Sequence, residues 1–344
     1  MALHFLIFYT FAINFMITVS NICAVVVTYS DRRFFLKQVI SYLLQKNIFK
    51  IVIVLNGVTW KFEDERFLLN DKFEFVILEK NYGPAVGCKI GIERAVSFKC
   101  NMIWILDDDN VPNENCIETM IDCYNDFIFH CSNLRIALTP FRPTYQSMTG
   151  SFARNRLIPP RSSFVGFHFS QILSRIFNFD RSQDSSINRE ELVSLMSAPY
   201  GGLLFDKSIL SEIGYPREDF ILYADDTEWT YRFVSKGGNL ILVKNAILND
   251  VDCSWDNNVY YMFYIWLEGL SDLKCYYRMR NLVYFFKHIY ADSEYIYLIN
   301  KYVYLFSMFF MSVFRCKLKR FNLILGAIAD GERGQLGLNQ KYKL

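Results

Sequence analysis

The sequence contains no C-x-x-C pair, no internal repeat and no low-complexity tract. Its nine cysteines (Cys23, Cys88, Cys100, Cys116, Cys123, Cys131, Cys253, Cys275 and Cys316) are odd in number and scattered, which argues against a cysteine-based zinc site and points to a reducing compartment. Charge of one sign is also scarce in excess. Lys and Arg number 37 against 35 Asp and Glu, and a net charge of +2 gives no electrostatic reason to expect nucleic acid. Partners must be read from local sites. What the chain does have is apolar surface: 52% of its 344 residues are hydrophobic and 17% aromatic, enough for a large core rather than a disordered chain.

Residues 1–20 carry no Lys, Arg, Asp or Glu and approach the ~20 residues that span a bilayer. They lack the basic n-region of a signal peptide. They also run directly into "ICAVVVTYS", which reads as a core strand and leaves a spanning helix no stem. An over-extended start before Met16 is therefore the alternative to a membrane segment.

From there the chain alternates. "ICAVVVTY", "KIVIVLNG", "FEFVILEKN" and "NMIWIL" are short apolar runs suited to buried strands. Ser30 is placed to N-cap a helix carrying Phe34, Val39, Ile40, Leu43 and Leu44, and "GPAVGCKIGIERAVSF" opens a second helix at Pro84. Strands alternating with helices predict an α/β fold with a mostly parallel, doubly wound sheet, whose ligands bind beyond the carboxyl ends of the strands.

One such end carries "WILDDDNVP". Three adjacent carboxylates repel one another unless a cation or strong donors compensate them. If extended backbone continues through the triplet, Asp107 and Asp109 share one face and Asp108 takes the other. Two oxygen ligands so placed suit Mg²⁺ or Mn²⁺. The alternative is a solvated acidic turn with Asn110 and Pro112 as turn residues.

The ordered set "VVVTYSDR", "VIVLNG", "NYGPAVGCKIGIERA", "WILDDDN", "GGLLFDKSILSEIGYPREDFILYADDTEWTYR" and "YYRMRNLVYF" resembles glycosyltransferase family 2, inverting enzymes with the nucleotide-sugar-binding GT-A fold. It is most similar to the bacterial rhamnosyl- and galactofuranosyltransferase-like branch, from about Ile22 to Gly337. The resemblance implies that Thr28 and Tyr29 line the nucleobase pocket, with Asp31 near the base or ribose. It also places Asn56, Asn81, Gly83 and Gly87 beside the nucleotide, where small residues and free N–H groups suit a diphosphate. Asp107 and Asp108 would contact the nucleotide-sugar, and Asp107 and Asp109 the metal. Asp226 would be the catalytic base that deprotonates the acceptor hydroxyl. Asp225, Glu228, Trp229, Gly201 and Gly202 would face the acceptor, Trp229 as a sugar-stacking ring. Acids in the first turn of "DDTEWTYRFVSK" also favour the helix dipole, and the two readings are compatible.

The chain departs from the family in two places. Lys89 stands where relatives carry Asn, within reach of a phosphate or facing solvent. Asn249 stands where relatives of this branch supply a His ligand; either Asp250 substitutes as a hard oxygen ligand, or Asp107 and Asp109 hold the ion through water and the diphosphate alone. The stretch between Phe141 and Ala198, including "FRPTYQSMTGSFARNRLIPPRSSFVGFHFSQ", has the character of a binding loop whose arginines can meet a diphosphate or an anionic acceptor. From Leu273 the chain mixes Tyr and Phe with Lys and Arg, as suits helices in a membrane interface or a buried helical appendage.

The expected layout is an apolar leader at 1–20, a GT-A domain at 21–255 (nucleotide half 21–112, acceptor half 113–255) and a helical, aromatic-rich C-terminal region at 256–344. The expected function is inverting transfer of a sugar from a UDP- or dTDP-linked donor to a glycan or lipid-linked acceptor on the cytoplasmic face of a membrane. The alternatives are a nucleotidyltransferase of the same fold and a catalytically silent, membrane-associated scaffold.

Overall fold

The computed structural model describes residues 16–61, 65, 69–131, 134–144, 159–172, 191–252, 263 and 265–343. The expectation for the leader lies largely outside the described residues.

The apolar runs become strands buried on both sides. β1 (Ile22–Ser30), β2 (Lys50–Val58), β3 (Phe73–Leu78) and β4 (Met102–Asp107) pair in parallel in the order β3-β2-β1-β4. Three helices cover them: α1 (Arg33–Gln45), α2 (Pro84–Val96) and α3 (Cys116–His130). The two-residue side-chain period sends Ile22, Ala24 and Val26 into one core with Leu36, Ile40 and Met120, and Cys23 and Val25 into another with Ile92 and Ala95. A parallel sheet is stable only when both faces are covered in this way.

Beyond β4 the sheet becomes mixed. β5 (Asn110–Pro112), β6 (Ile136–Phe141), β7 (Leu192–Ser194), β8 (Leu204–Asp206) and β9 (Asn239–Asp250) extend it in the order β4-β8-β6-β9-β5, with β7 on β9. β8 runs antiparallel to both β4 and β6. Pairing of β5 with β9 sets Asn110 opposite Asp250, so the end of β9 lies beside the acidic triplet.

One boundary differs from expectation. Ser30 does not cap α1; it is still paired in β1, opposite Val58, in a left-handed conformation (φ 51°), and α1 begins at Arg33.

Four further helices follow: α4 (Asp225–Ser235), α5 (Asp272–Tyr284), α6 (Glu294–Phe314) and α7 (Leu318–Glu332). Ser271 and Ser293 cap α5 and α6 through their hydroxyls. The last three share an aromatic core with Phe164, Phe167 and Tyr231, the last of these from α4. The C-terminal helices are thus fused to the element that carries the second acid pair.

Candidate active site

Strand β4 delivers Asp107 to the sheet edge, where its backbone N–H donates to the Asn110 side chain at 3.0 Å. The chain turns there instead of continuing extended, so the expected alternation of the triplet fails at Asp108. The compensating cation is Arg32. Its guanidinium reaches Asp108 at 2.8 Å, Asp109 at 3.0 Å and Asp252 at 2.7 Å. A second arginine, Arg142, donates to Asp250 through Nε at 3.0 Å, donates to the Gly201 carbonyl and lies 3.9 Å from Asp107. Even so, Asp107, Asp108 and Asp109 are each pushed up to about 6, chiefly by burial, with their mutual repulsion adding and the arginines opposing.

These contacts correct several expectations. Thr28 is fully buried and its hydroxyl donates to Asp108 at 2.6 Å, so it orients that carboxylate and does not line a base pocket. Asp108, only 3% exposed, is turned inward to Thr28 and Arg32, away from any nucleotide. Tyr29 does present an open ring, 45% exposed, with Arg32 5.3 Å from its centroid. Asp31 sits at the exposed rim, held below the usual carboxylate range by hydrogen bonds from Arg33. Asp250 is engaged by Arg142 and by Asn110 at 2.9 Å, and among the described residues no three His, Cys, Asp or Glu side chains form a metal-holding group. Asn249 points elsewhere, to Asn113.

The pair Asp107 and Asp109 still fits a divalent ion. Two carboxylates whose charge their own arginines leave under-compensated, Asp107 with 45% of its side chain open, form an oxygen donor set that water and a diphosphate can complete.

The second strand supports the nucleotide loop from behind. Asn56 is buried; it donates to the Gly83 carbonyl at 3.0 Å and accepts from Tyr82 N–H at 3.0 Å. It fixes the loop's shape and has no open atom for a ligand, a correction to its expected contact role. Asn81 accepts from Gly83 N–H at 2.9 Å, and Gly83 precedes α2 with φ 90°, a conformation that strains any side chain. Gly87 serves packing, since a Cβ there would lie 2.7 Å from Val27. Lys89 is paired with Glu218 at 2.5 Å and Glu93 at 3.8 Å, so it is committed to carboxylates and not to a phosphate.

Across the crevice, Asp226 opens α4. Burial raises its pKa, opposed by hydrogen bonds from the Thr227 N–H and hydroxyl and by the fields of Arg142 and Arg278. Asp107 feels the charge of Asp226, and Arg142 acts on both, so the two acid clusters share one electrostatic site. Asp225 is 2% exposed and pushed up to about 8, first by burial and then by Asp226. Its Oδ2 and the Tyr200 hydroxyl are buried without a well-formed hydrogen bond, though near enough to influence one another. Both acids are thus raised above the usual carboxylate range, chiefly by burial.

The other acceptor-side expectations divide. Gly201 lies against the first acid cluster: a Cβ there would lie 2.6 Å from Asp107 Oδ2 and 2.5 Å from Arg142. Gly202 makes the turn above Pro140 with φ 93°. Glu228, 4% exposed, is locked by Arg232 at 2.5 Å and has no free oxygen for an acceptor. Trp229 is 1% exposed, donates to the Gly214 carbonyl at 2.9 Å and packs on Phe205, which leaves no face for a sugar. Both were drawn inward by the helical period that points Asp226 outward.

Sequence reasoning missed the loop just before α4. Ile221, Tyr223 and Ala224 all have positive φ, at 63°, 66° and 62°. Asn281 of α5 holds that loop by donating to the carbonyls of Phe220 (2.7 Å), Leu222 (2.8 Å) and Tyr223 (2.9 Å), and Arg280 fixes the amide through its oxygen at 2.9 Å. Arg32, Arg142 and Arg278 were missed as individuals. The signal for Arg32 was the uncompensated triplet itself, which calls for a cation or strong donors.

The parallel-then-mixed sheet, with acids at the β4 edge and a second pair on α4, has the architecture of the GT-A fold. Residues 23–179 match the model of Glycosyl transferase family 2. Two solved structures share the fold. One is GalNAc-T7 with UDP, GalNAc and Mn²⁺, at 12% identity and TM-score 0.51, covering 78% of this chain and 51% of that one. The other is S. aureus TarS 1-349 in complex with UDP-GlcNAc, at 13% identity and TM-score 0.50, covering 90% and 80% respectively. The chain thus spans about half the length of the first. No curated protein matches it.

Proposed function

We propose that the protein is an inverting glycosyltransferase that moves a sugar from a UDP- or dTDP-linked donor to a hydroxyl of a glycan or lipid-linked acceptor. The observation that carries this reading is the shared electrostatic site of Asp107 and Asp226, with Arg142 acting on both. In that arrangement the acceptor oxygen attacks the anomeric carbon opposite the departing nucleoside diphosphate. Asp226 takes the hydroxyl proton as the new C–O bond forms and the bond to the diphosphate breaks. Asp107 and Asp109 would hold Mg²⁺ or Mn²⁺, which when bound offsets charge on the leaving diphosphate. Tyr29 offers its open ring to the base, and Gly201 admits the donor close to Asp107.

A donor of the rhamnose or galactofuranose type is supported only by the sequence resemblance. UDP and UDP-GlcNAc in the two related structures favour uridine as the base. The acceptor is proposed to be a cell-surface polysaccharide or glycolipid precursor on the cytoplasmic face of the membrane. The test is a thermal-shift panel of nucleoside diphosphates and their sugars with and without Mn²⁺, for wild type and Asp109→Ala, followed by product analysis. Stabilisation by a uridine or thymidine ligand that disappears in the variant, with release of nucleoside diphosphate, supports the proposal. Release of pyrophosphate would replace it with a nucleotidyltransferase.

A further inference from the structure

Helix α6 has two unlike faces. Tyr297, Asn300, Tyr304, Met308 and Ser312 form a buried stripe at helical spacing. That stripe is bolted to the neighbouring segment, with Asn300 donating to the Ser162 carbonyl and accepting from Phe169 N–H, each at 2.8 Å. The opposite face is apolar and exposed: Tyr302 is 62% exposed, Phe306 67%, Phe309 43%, Phe310 46% and Phe314 83%. Within Glu294–Phe314 the one cationic residue is Lys301, and it is turned aside into an ion pair with Glu332 at 2.7 Å. A contiguous aromatic face of this kind marks an interaction surface.

What covers it is indicated by what flanks it. Just past the helix come Arg315, Lys317 and Lys319, and no ion pair involves either lysine among the described residues. Aromatic side chains beside unpaired cations match the interface of an anionic bilayer, where rings sit at headgroup depth and ammonium groups meet lipid phosphates. The helix is long and apolar enough to cross a membrane. Its polar, protein-bound stripe runs its whole length, however, and a helix anchored along one side lies in the interface instead of spanning it.

We propose that α6 is a monotopic docking surface for anionic lipid, with the Tyr302, Phe306, Phe310 face immersed and Lys317 and Lys319 on the headgroups, while Arg315 pairs with Glu268 at 3.6 Å. This deepens the membrane placement proposed above and rests on it, while being independent of the sugar chemistry. A lipid-linked acceptor would then be presented to a site whose loop is held by α5 of the same helical region.

The test is flotation of the full chain with vesicles of phosphatidylcholine alone or with added phosphatidylglycerol, alongside light scattering without lipid. Expected is binding that needs the anionic lipid and weakens with salt. Phe306→Glu/Phe310→Glu should lower it about tenfold or more, and Lys317→Glu/Lys319→Glu should lower it on anionic vesicles alone. Both variants should keep wild-type melting with UDP and Mn²⁺, which separates failure of docking from failure of the transferase reading. A lipid-free dimer that Phe306→Glu/Phe310→Glu dissociates, with no vesicle binding by wild type, would overturn the proposal in favour of a second copy of the chain.

Discussion

Asn281 donates a hydrogen bond to the carbonyl of Tyr223 at 2.9 Å, tying helix α5 to the backbone three residues before the proposed base, Asp226. The same amide serves Phe220 and Leu222, so one side chain holds a loop in which Ile221, Tyr223 and Ala224 are all left-handed. Such residues cost on the order of 1–3 kcal/mol each and persist only where the surroundings over-determine them.

Asn281→Leu should therefore disturb more than it removes. It leaves the half-buried carbonyls of Leu222 and Tyr223 without the amide donor, at about 1–3 kcal/mol apiece when unmet, while the Phe220 carbonyl keeps the Leu222 N–H and Arg280, and it releases the strain that aims Asp226. The expected result is a lower melting temperature and a fall in kcat larger than any change in donor KM. Asn281→Asp should do no better, because a carboxylate accepts where the loop needs a donor. Wild-type kcat in either variant would contradict this role.

Asp226→Asn should abolish transfer, by about 10²-fold or more, while leaving nucleotide affinity close to wild type. Turnover and UDP binding measured on the same preparation check this. Asp225→Asn should be milder. Asp225 is the member of the pair that keeps its proton to about pH 8, so an amide reproduces its neutral state.

The sequence carried the fold well where local rules and packing agreed. The runs at Ile22–Ser30, Lys50–Val58 and Met102–Asp107 are β-branched and buried on both faces, so strand formation and burial coincide. That Asp107 ends a strand and Asp226 opens a helix was legible because strand ends and helix starts have fixed positions in such a sheet. Direction was less legible. Trp229 and Glu228 lie within three residues of Asp226, yet a turn of helix sends them into the core. Long-range partners were not legible at all: Arg32 to Asp252 and Asn281 to Phe220 join residues whose proximity only the folded chain creates.

Gly201→Ala should impair the donor side. The added methyl would lie 2.6 Å from Asp107 Oδ2, 2.5 Å from Arg142 and 2.2 Å from Asn110 Oδ1, and Asn110 is fully buried. Something must shift, and the nearest groups are those proposed to receive the diphosphate. Weaker nucleotide binding with a small change in melting temperature is expected. Calorimetric titration with UDP and Mn²⁺ measures it, and unchanged affinity would remove Gly201 from the site.

Proton and metal should compete for the triplet. Asp107 and Asp109 titrate near about 6 in the folded chain, whereas an unfolded aspartate releases its proton near ~3.9. Between those values the folded state holds protons that the unfolded state has lost. Their contribution to stability is thus full below about pH 4 and is lost as pH rises through about 6. A cation on Asp107 and Asp109 reverses that slope, because it binds the deprotonated pair and offsets the burial and the repulsion that raised both values. Mn²⁺ with UDP should accordingly stabilise the protein more at about pH 7.5 than at about pH 5.5, and Asp109→Ala should flatten the difference. Thermal melts at the two pH values, with and without Mn²⁺, measure this directly. A Mn²⁺ effect equal at both, or intact in Asp109→Ala, would place the ion elsewhere.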